Sequence, residues 1–489
     1  MSRVLTFLLV LGLAHAADPS PPAPISAVEI PSPAAPGAVG ASLARAPDGT
    51  LWLSWVQPSR SAPNALRFSK LETAARHWSA PRTIATDLSV TTSAMDFPQI
   101  AVGANGSATA LWTDGHGGAR ISRSPDHGAT WSTPEPFTRG EQVVEKFSLV
   151  VLADGRVLVA WLDGRGMKAG GKTQQLYARI VGAPGPDTLV DPSVCDCCQT
   201  ALTAFPDGGA LLAYRGRTSE EVRDIRIARF RGQAWDEPRP LNNDDWRINA
   251  CPVNGPRLDS ERGRVAAAWF TAADNEPRVL ASYSPDAGTR FLIPLRLDRG
   301  QPTGQVDTVI LRDGAMLVTW AERNGSLWLR RVSPDFTTGE PIELAPAGAG
   351  RVSGYPRLAL LRDYAGGRSG AQCVVAYARE DKPATLHTLL VSVPEGDLVS
   401  LTKDCDCAPT AEQLQSLTLR GTIIAIENGA ARVRHHEVPG VIAAGTHIFQ
   451  LATNVTSELA PGRDFLGHIE MREGAWRLFD VRLMAAPPK

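Results

Sequence analysis

The chain has 489 residues, 21% of them charged and 43% hydrophobic, enough apolar material for a large core and too little charge for a chain that stays disordered. Fifty Lys and Arg against 51 Asp and Glu leave a formal charge of -1, so the basic excess that neutralises phosphates is missing and a nucleic-acid partner is not expected. Twelve Trp, 44 Gly and 38 Pro describe turns and aromatic strands rather than long helices, and seven Cys raise the question of redox compartment.

Residues 1–16 carry one positive residue (Arg3), an apolar run from Val4 to Leu13 and the small-x-small site Ala14-His15-Ala16. This pattern predicts a secretory signal peptide, with a mature chain starting near Ala17 in the periplasm or outside the cell; a buried N-terminal strand is the competing reading. The run is shorter than the roughly 20 residues of a spanning helix, and no later stretch reaches that length without charge, so no membrane span is expected.

Residues 17–402 are organised by a repeat, in which a turn glycine precedes an aromatic by six residues. The pairs are Gly49/Trp55, Gly106/Trp112, Gly155/Trp161, Gly208/Tyr214, Gly263/Trp269, Gly314/Trp320 and, one residue longer, Gly370/Tyr377. Five of the glycines follow Asp or Asn, the chemistry of tight hairpins. A period of 49 to 57 residues with no helical pattern predicts an all-β, seven-bladed β-propeller of four-stranded blades, or six blades if the terminal pair is irregular. The segment from Ile25 to Pro31 is a candidate for the strand that closes the ring.

After the second aromatic stands Ser124-Pro-Asp126-His-Gly128-Ala-Thr130-Trp131, and Ser284-Pro-Asp286-Ala-Gly288 and Ser333-Pro-Asp335 repeat parts of it. These residues resemble the Asp-box of sialidase-like propellers. The resemblance implies that Asp-boxes and Gly hairpins share one face, so that the loops leading into each innermost strand and those following each aromatic lie on the other.

That other face would gather the unusual residues. The loop into the fourth repeat holds Cys195-Asp-Cys197-Cys198 and the loop into the fifth holds Cys251. An exported protein meets oxidants, so a disulfide from Cys251 to Cys197 or Cys198 is one expectation. Adjacent cysteines bridge each other poorly, and thiolates select Cu(I), zinc or iron–sulfur clusters, so a metal site is the other. Cys373 reads as a core thiol, whereas Cys405 and Cys407, in the polar linker 403–416, read as a ligand pair. The sialidase resemblance implies a further possibility, a carboxylate-binding arginine trio (Arg165, Arg217, Arg379), a tyrosine nucleophile (Tyr355) and an acid (Asp96). No match to that family's Arg-Ile-Pro segment is present.

Residues 417–489 switch to short alternating strands, Leu419–Ile426, Ala431–His436, Thr446–Leu451, Phe465–Arg472 and Trp476–Leu483, which predict a five-stranded OB-like barrel. The stretch from His435 to Phe449 resembles the metal-binding segment of the periplasmic copper-efflux chaperone family. His435 falls on that family's ligand histidine, while its two ligand methionines fall on Gly445 and His447. A His435/His447 pair could hold Cu(II) or zinc through imidazole nitrogens; solvated surface histidines are the plainer reading. The expectation is an exported copper-binding protein whose enzyme status the sequence leaves open, zinc being the other metal, working with a copper-handling partner. A sialidase-like glycosidase and a disulfide-stapled interaction platform are the alternatives.

Overall fold

The structure, a computed structural model, describes residues 25–72, 76–86, 90, 95–114, 116–311, 313–334, 337–350, 353–361, 370–393, 417–427, 429–436, 442, 445–451, 459–472 and 475–483. The expected signal peptide, Cys405, Cys407 and Asp335 of the third Asp-box-like segment lie outside them. Among the described residues no helix is long and apolar enough to cross a membrane.

Seven antiparallel sheets form the propeller, six of them lined up from inside to outside in chain order. In the third blade the order is Val144–Val151, Val157–Asp163, Gln174–Ile180 and Thr188–Val194. The second strand of each blade begins just after the turn glycine. Six of the seven glycines hold a positive φ between 79° and 90°, as hairpin turns of this hand require. These strands are apolar without alternation, because both of their faces are covered: Leu158 to Leu162 are all at most 1% exposed. The repeat aromatics sit between blades, so the core is a ring of inter-blade seams. Tyr214 of the fourth blade, for example, packs with Leu158, Leu162 and Leu176 of the third.

The last blade consists of Gly354–Leu361, Ala371–Arg379 and Thr385–Val393, and its outer strand is Ser26–Ile30 from the other end of the domain. Ser26 pairs with Ser392 and Ile30 with Thr388. The ring therefore closes as the N-terminal segment suggested, with seven blades rather than six.

Two layers organise the axis. Ser42, Gln99, Ser148, Ala201, Arg257, Asp307 and Arg357 each pair with the residue before the repeat aromatic, which sets them at one level around the channel. They line a cavity of about 1030 Å³ that runs to the hairpin turns at Pro47, Asn105, Asp154 and Pro206. Above this level a belt of amides ties neighbouring blades. Asn254 Oδ1 accepts the Gln305 N–H at 2.7 Å, and Gln305 Oε1 accepts the Tyr355 N–H at 2.9 Å. The Tyr355 ring meets that of Phe97, with centroids 5.6 Å apart. The sixth and seventh blades slip register here, with left-handed backbone at Gln305 and Tyr355.

The Asp-box is a wedge between blades. Ser124 Oγ and the Asp126 carboxylate accept the Gly128 and Thr130 N–H groups, each at 2.8 Å, and Trp131 meets Phe68 of the first blade edge to face. In the second copy Ser284 and Asp286 take the same bonds, with Arg290 in place of Thr130.

The C-terminal strands Leu417–Glu427, Ala430–His435, Gly445–Leu451, Asp464–Arg472 and Ala475–Leu483 close a barrel in the order first, second, third, fifth, fourth. Its interior holds Leu419, Ile423, Val433, Phe449, Phe465 and Ile469. The third and fifth strands make a short parallel pair, Gln450 to Arg477 and Leu451 to Leu478.

Candidate metal centre

The outer strand of the third blade ends at Val194, and the chain must return to the axis to begin the fourth blade at Ala201. The return is made by the Cys-Asp-Cys-Cys loop. Two bonds pin it: Cys195 N–H donates to Arg215 O at 3.0 Å, and Gln174 N–H donates to Asp196 at 3.1 Å. So held, the loop turns three sulfurs toward one point. Cys195 Sγ lies 3.9 Å from Cys197 Sγ and 3.7 Å from Cys198 Sγ, and all three lie within 4.8 Å of one another. Cys195 and Cys198 are buried and Cys197 is half-buried.

Three arginines surround this point. Arg215, 1% exposed, donates from each of its three side-chain nitrogens to carbonyls: Arg223 O, Asn254 O and Phe270 O. Among the described residues no carboxylate pairs with it, so it is a fixed buried positive charge. Arg223 donates to Cys195 Sγ at 3.4 Å and to Glu221 at 2.8 Å, and Arg217 bridges Glu221 and Asp196. Hydrogen bonds from the Cys197 and Cys198 thiols, assisted by Arg215, hold the Cys195 thiol far below its ordinary range. Donation to Cys195 pushes Cys197 up, and burial pushes Cys198 up. The cluster thus gathers three sulfurs beside buried positive charge, an arrangement in which a soft cation can displace thiol protons.

The expected quartet is a trio. Cys251 is an exposed free thiol outside the group, and none of the five described cysteines is in a disulfide. The reason is the path of the fifth blade's leading loop. Asp224 accepts the Asp245 and Trp246 N–H groups, Arg223 N–H donates to Trp246 O and Ile248 N–H to Glu221 O, which fixes 245–248 ahead of Cys251. Cys373 is fully buried, as its apolar run predicts.

The residues that the sialidase resemblance implied are present but engaged. Arg165 pairs with Asp163 and Asp187 and lies over the Tyr177 ring; Arg217 pairs with Asp196 and Glu221; Arg379 pairs with Asp381. Asp96 forms an ion pair with Lys146, and Tyr355 belongs to the amide belt. Several acidic residues on this face serve the fold instead. Asp163 and Glu322 each accept the indole N–H of the aromatic two residues earlier at 2.9 Å, and each also caps the backbone of a neighbouring loop. A sequence shows an acid after an aromatic but not which N–H groups will face it.

On the barrel, the pairing of His435 with Gly445 brings His447 alongside. His435 Nδ1 donates to His436 O at 2.7 Å, which leaves Nε2 to accept from His447 Nδ1, also at 2.7 Å. His435 is 5% exposed, and burial holds its imidazolium below the ordinary histidine range.

No family model matches the chain, and no curated protein does. Its fold has relatives among solved structures. A lectin from Burkholderia pseudomallei superposes with a TM-score of 0.55 at 11% identity, over 74% of this chain and 98% of that one. An α-L-arabinofuranosidase from Fusarium graminearum reaches 0.43 at 12% identity (75% and 97%), and a Hadza microbial sialidase 0.38 at 14% (58% and 63%). These likenesses concern fold alone, and the domain is a seven-bladed β-propeller.

Proposed function

We propose that this is an exported copper-binding protein whose resident site is the thiol trio Cys195, Cys197 and Cys198. The observation that carries the reading is the spacing of the sulfurs. Three ligands at about 2.3 Å from one ion stand roughly 3.8 to 4.0 Å apart in tetrahedral or trigonal geometry, which the 3.7 and 3.9 Å separations already approach. Sulfur donors suit Cu(I), and a structural zinc site would call for a fourth ligand, which the described residues do not add to the group. The barrel resemblance supports the same metal. Two nitrogens at right angles about 2.05 Å from one ion lie roughly 2.9 Å apart, close to the 2.7 Å between His435 and His447, so a tetragonal Cu(II) can replace the shared proton. A copper-handling protein would then exchange metal with one site or the other.

The test is anaerobic loading of the reduced mature protein with Cu(I) and, separately, Zn(II), read by metal analysis and thiolate-to-metal absorption. One tightly held Cu(I) is expected, lost when the three cysteines are changed to serine and kept in His435→Ala/His447→Ala. Less than about 0.1 equivalents, or unchanged loading in the triple variant, would overturn the reading; preferential zinc loading would replace copper with zinc.

The second reading, a sialidase-type glycosidase, rests on the propeller and on Arg165, Arg217, Arg379, Tyr355 and Asp96. Its difficulty is chemical. A substrate carboxylate must compete with carboxylates already paired to each arginine, and Asp96, the acid of that reading, is engaged by Lys146. Turnover of a fluorogenic sialoside that fails in Tyr355→Phe and Arg217→Ala would establish it.

A further inference from the structure

The axial cavity is lined by four arginines and four carboxylates, Asp259 and Glu261 among them, yet at one level of it the charges are not paired off. At one level of the channel Arg257, Asp307 and Arg357 stand on three consecutive blades, and the other four positions of that ring are uncharged. The single carboxylate is largely spoken for. Its oxygens accept the Thr308 N–H at 3.0 Å and the Leu358 N–H at 2.8 Å, and Arg257 reaches it only at 3.9 Å. Arg357 pairs with no carboxylate among the described residues. One of its amino groups makes a 3.3 Å bond to Pro356 O, its plane lies 3.8 Å from the Phe97 ring centroid, and its Nη2 is buried with no hydrogen-bond partner. The residue is 6% exposed, yet it lines a cavity of about 1030 Å³. A buried guanidinium with an idle donor, in the wall of a cavity and repelled by a second guanidinium, is an unfavourable arrangement unless something negative comes close to it.

The route in is from the hairpin face. The cavity runs to the turns of the first five blades, whereas the amide belt of Asn254, Gln305 and Tyr355 lies beyond its walls on the cysteine side. We propose that this cavity binds a small oxoanion on Arg357 and Arg257, through the hairpin face and independently of the thiol trio. An oxoanion supplies planar or tetrahedral acceptors that match a guanidinium fork, and inorganic sulfate or phosphate and the carboxylate of a small organic acid share that chemistry.

The experiment uses the full mature protein in chloride at constant ionic strength, titrated with sulfate, phosphate or acetate and followed by calorimetry and melting temperature. Saturable binding of at least one anion is expected, and which one saturates distinguishes an inorganic from a carboxylate ligand. Arg357→Met should weaken it at least tenfold and raise the anion-free melting temperature, since the uncompensated charge is gone. Arg231→Met, a surface arginine paired with Asp236, should change neither. If Arg357→Met fails to fold, Arg257→Met carries the same test. No saturable response to any of the three anions, or undiminished affinity in the cavity variants, overturns the proposal. The cysteine-to-serine triple variant should bind the anion as the wild type does, and coupled loss would refute the independence of the two sites.

Discussion

Gly128→Ala tests whether the Asp-box is a wedge between blades or only a turn. Its φ is +77°, so a side chain there costs about 1–2 kcal/mol for the left-handed backbone alone. A Cβ would also stand 2.8 Å from Trp52 Cη2 and 2.9 Å from Phe68 Cζ, both on the first blade. Neither ring can withdraw easily. Trp52 and Phe68 are at most 1% exposed and stack on each other with centroids 5.1 Å apart. Overpacking a filled site of this kind adds about 1–3 kcal/mol, for a total of roughly 2–5. Gly155→Ala is the control, because its φ is +84° but a Cβ would meet nothing within 4 Å, leaving only the backbone cost of about 1–2 kcal/mol. Urea unfolding of both variants, followed by tryptophan fluorescence, measures the difference. Equal losses would mean that the second blade's turn does not press on the first, and the inter-blade role assigned to the Asp-box would fall.

Two further outcomes follow from buried acids. Asp259 lines the axial cavity, and burial, with Glu261 and Asp307 nearby, pushes its carboxyl up to about 7. The folded state thus keeps a proton that the unfolded chain gives up near pH 4, so this group's contribution to stability falls as pH rises from about 4 to 7 and is flat above. Asp259→Asn retains an acceptor for the Ile310 N–H, and its melting-temperature gain over the wild type should be larger at pH 8 than at pH 5; an equal gain at both would contradict the shift. Tyr214→Phe removes an O–H that donates to Asp191 at 2.6 Å between two buried groups. The expected loss is about 1–3 kcal/mol in urea unfolding, and a value under roughly 0.5 would show that the bond is replaced.

How much was legible beforehand divides along the range of the interactions. The blade count, the turn positions and the five barrel strands were readable because each rests on local chemistry. A glycine after Asp or Asn makes the hairpin, and an aromatic six residues later marks a strand covered on both faces. The closing strand was readable too, since Ser26–Ile30 had no other place in a seven-fold repeat.

The site was legible only in part. The spacing of Cys195, Cys197 and Cys198 within one loop foretold their company, because a four-residue turn brings its own side chains together. Cys251 was expected to join them and does not, for its distance depends on where Asp224 and Glu221 tie the next loop. The role of Arg215 escaped the sequence for the same reason: its partners are the carbonyls of Arg223, Asn254 and Phe270, the last two on later segments. Likewise, Arg165, Arg217 and Arg379 looked available until the carboxylates facing them were in place. The sequence by itself determined the repeat, and with it the number and order of the blades, because hairpin turns and covered strands are set by residues close along the chain. Only the tertiary structure decided which charges are neutralised, which thiols meet and which guanidinium is left in the wall of a cavity, because those depend on separations between loops 20 to 50 residues apart, fixed by the closure of the ring.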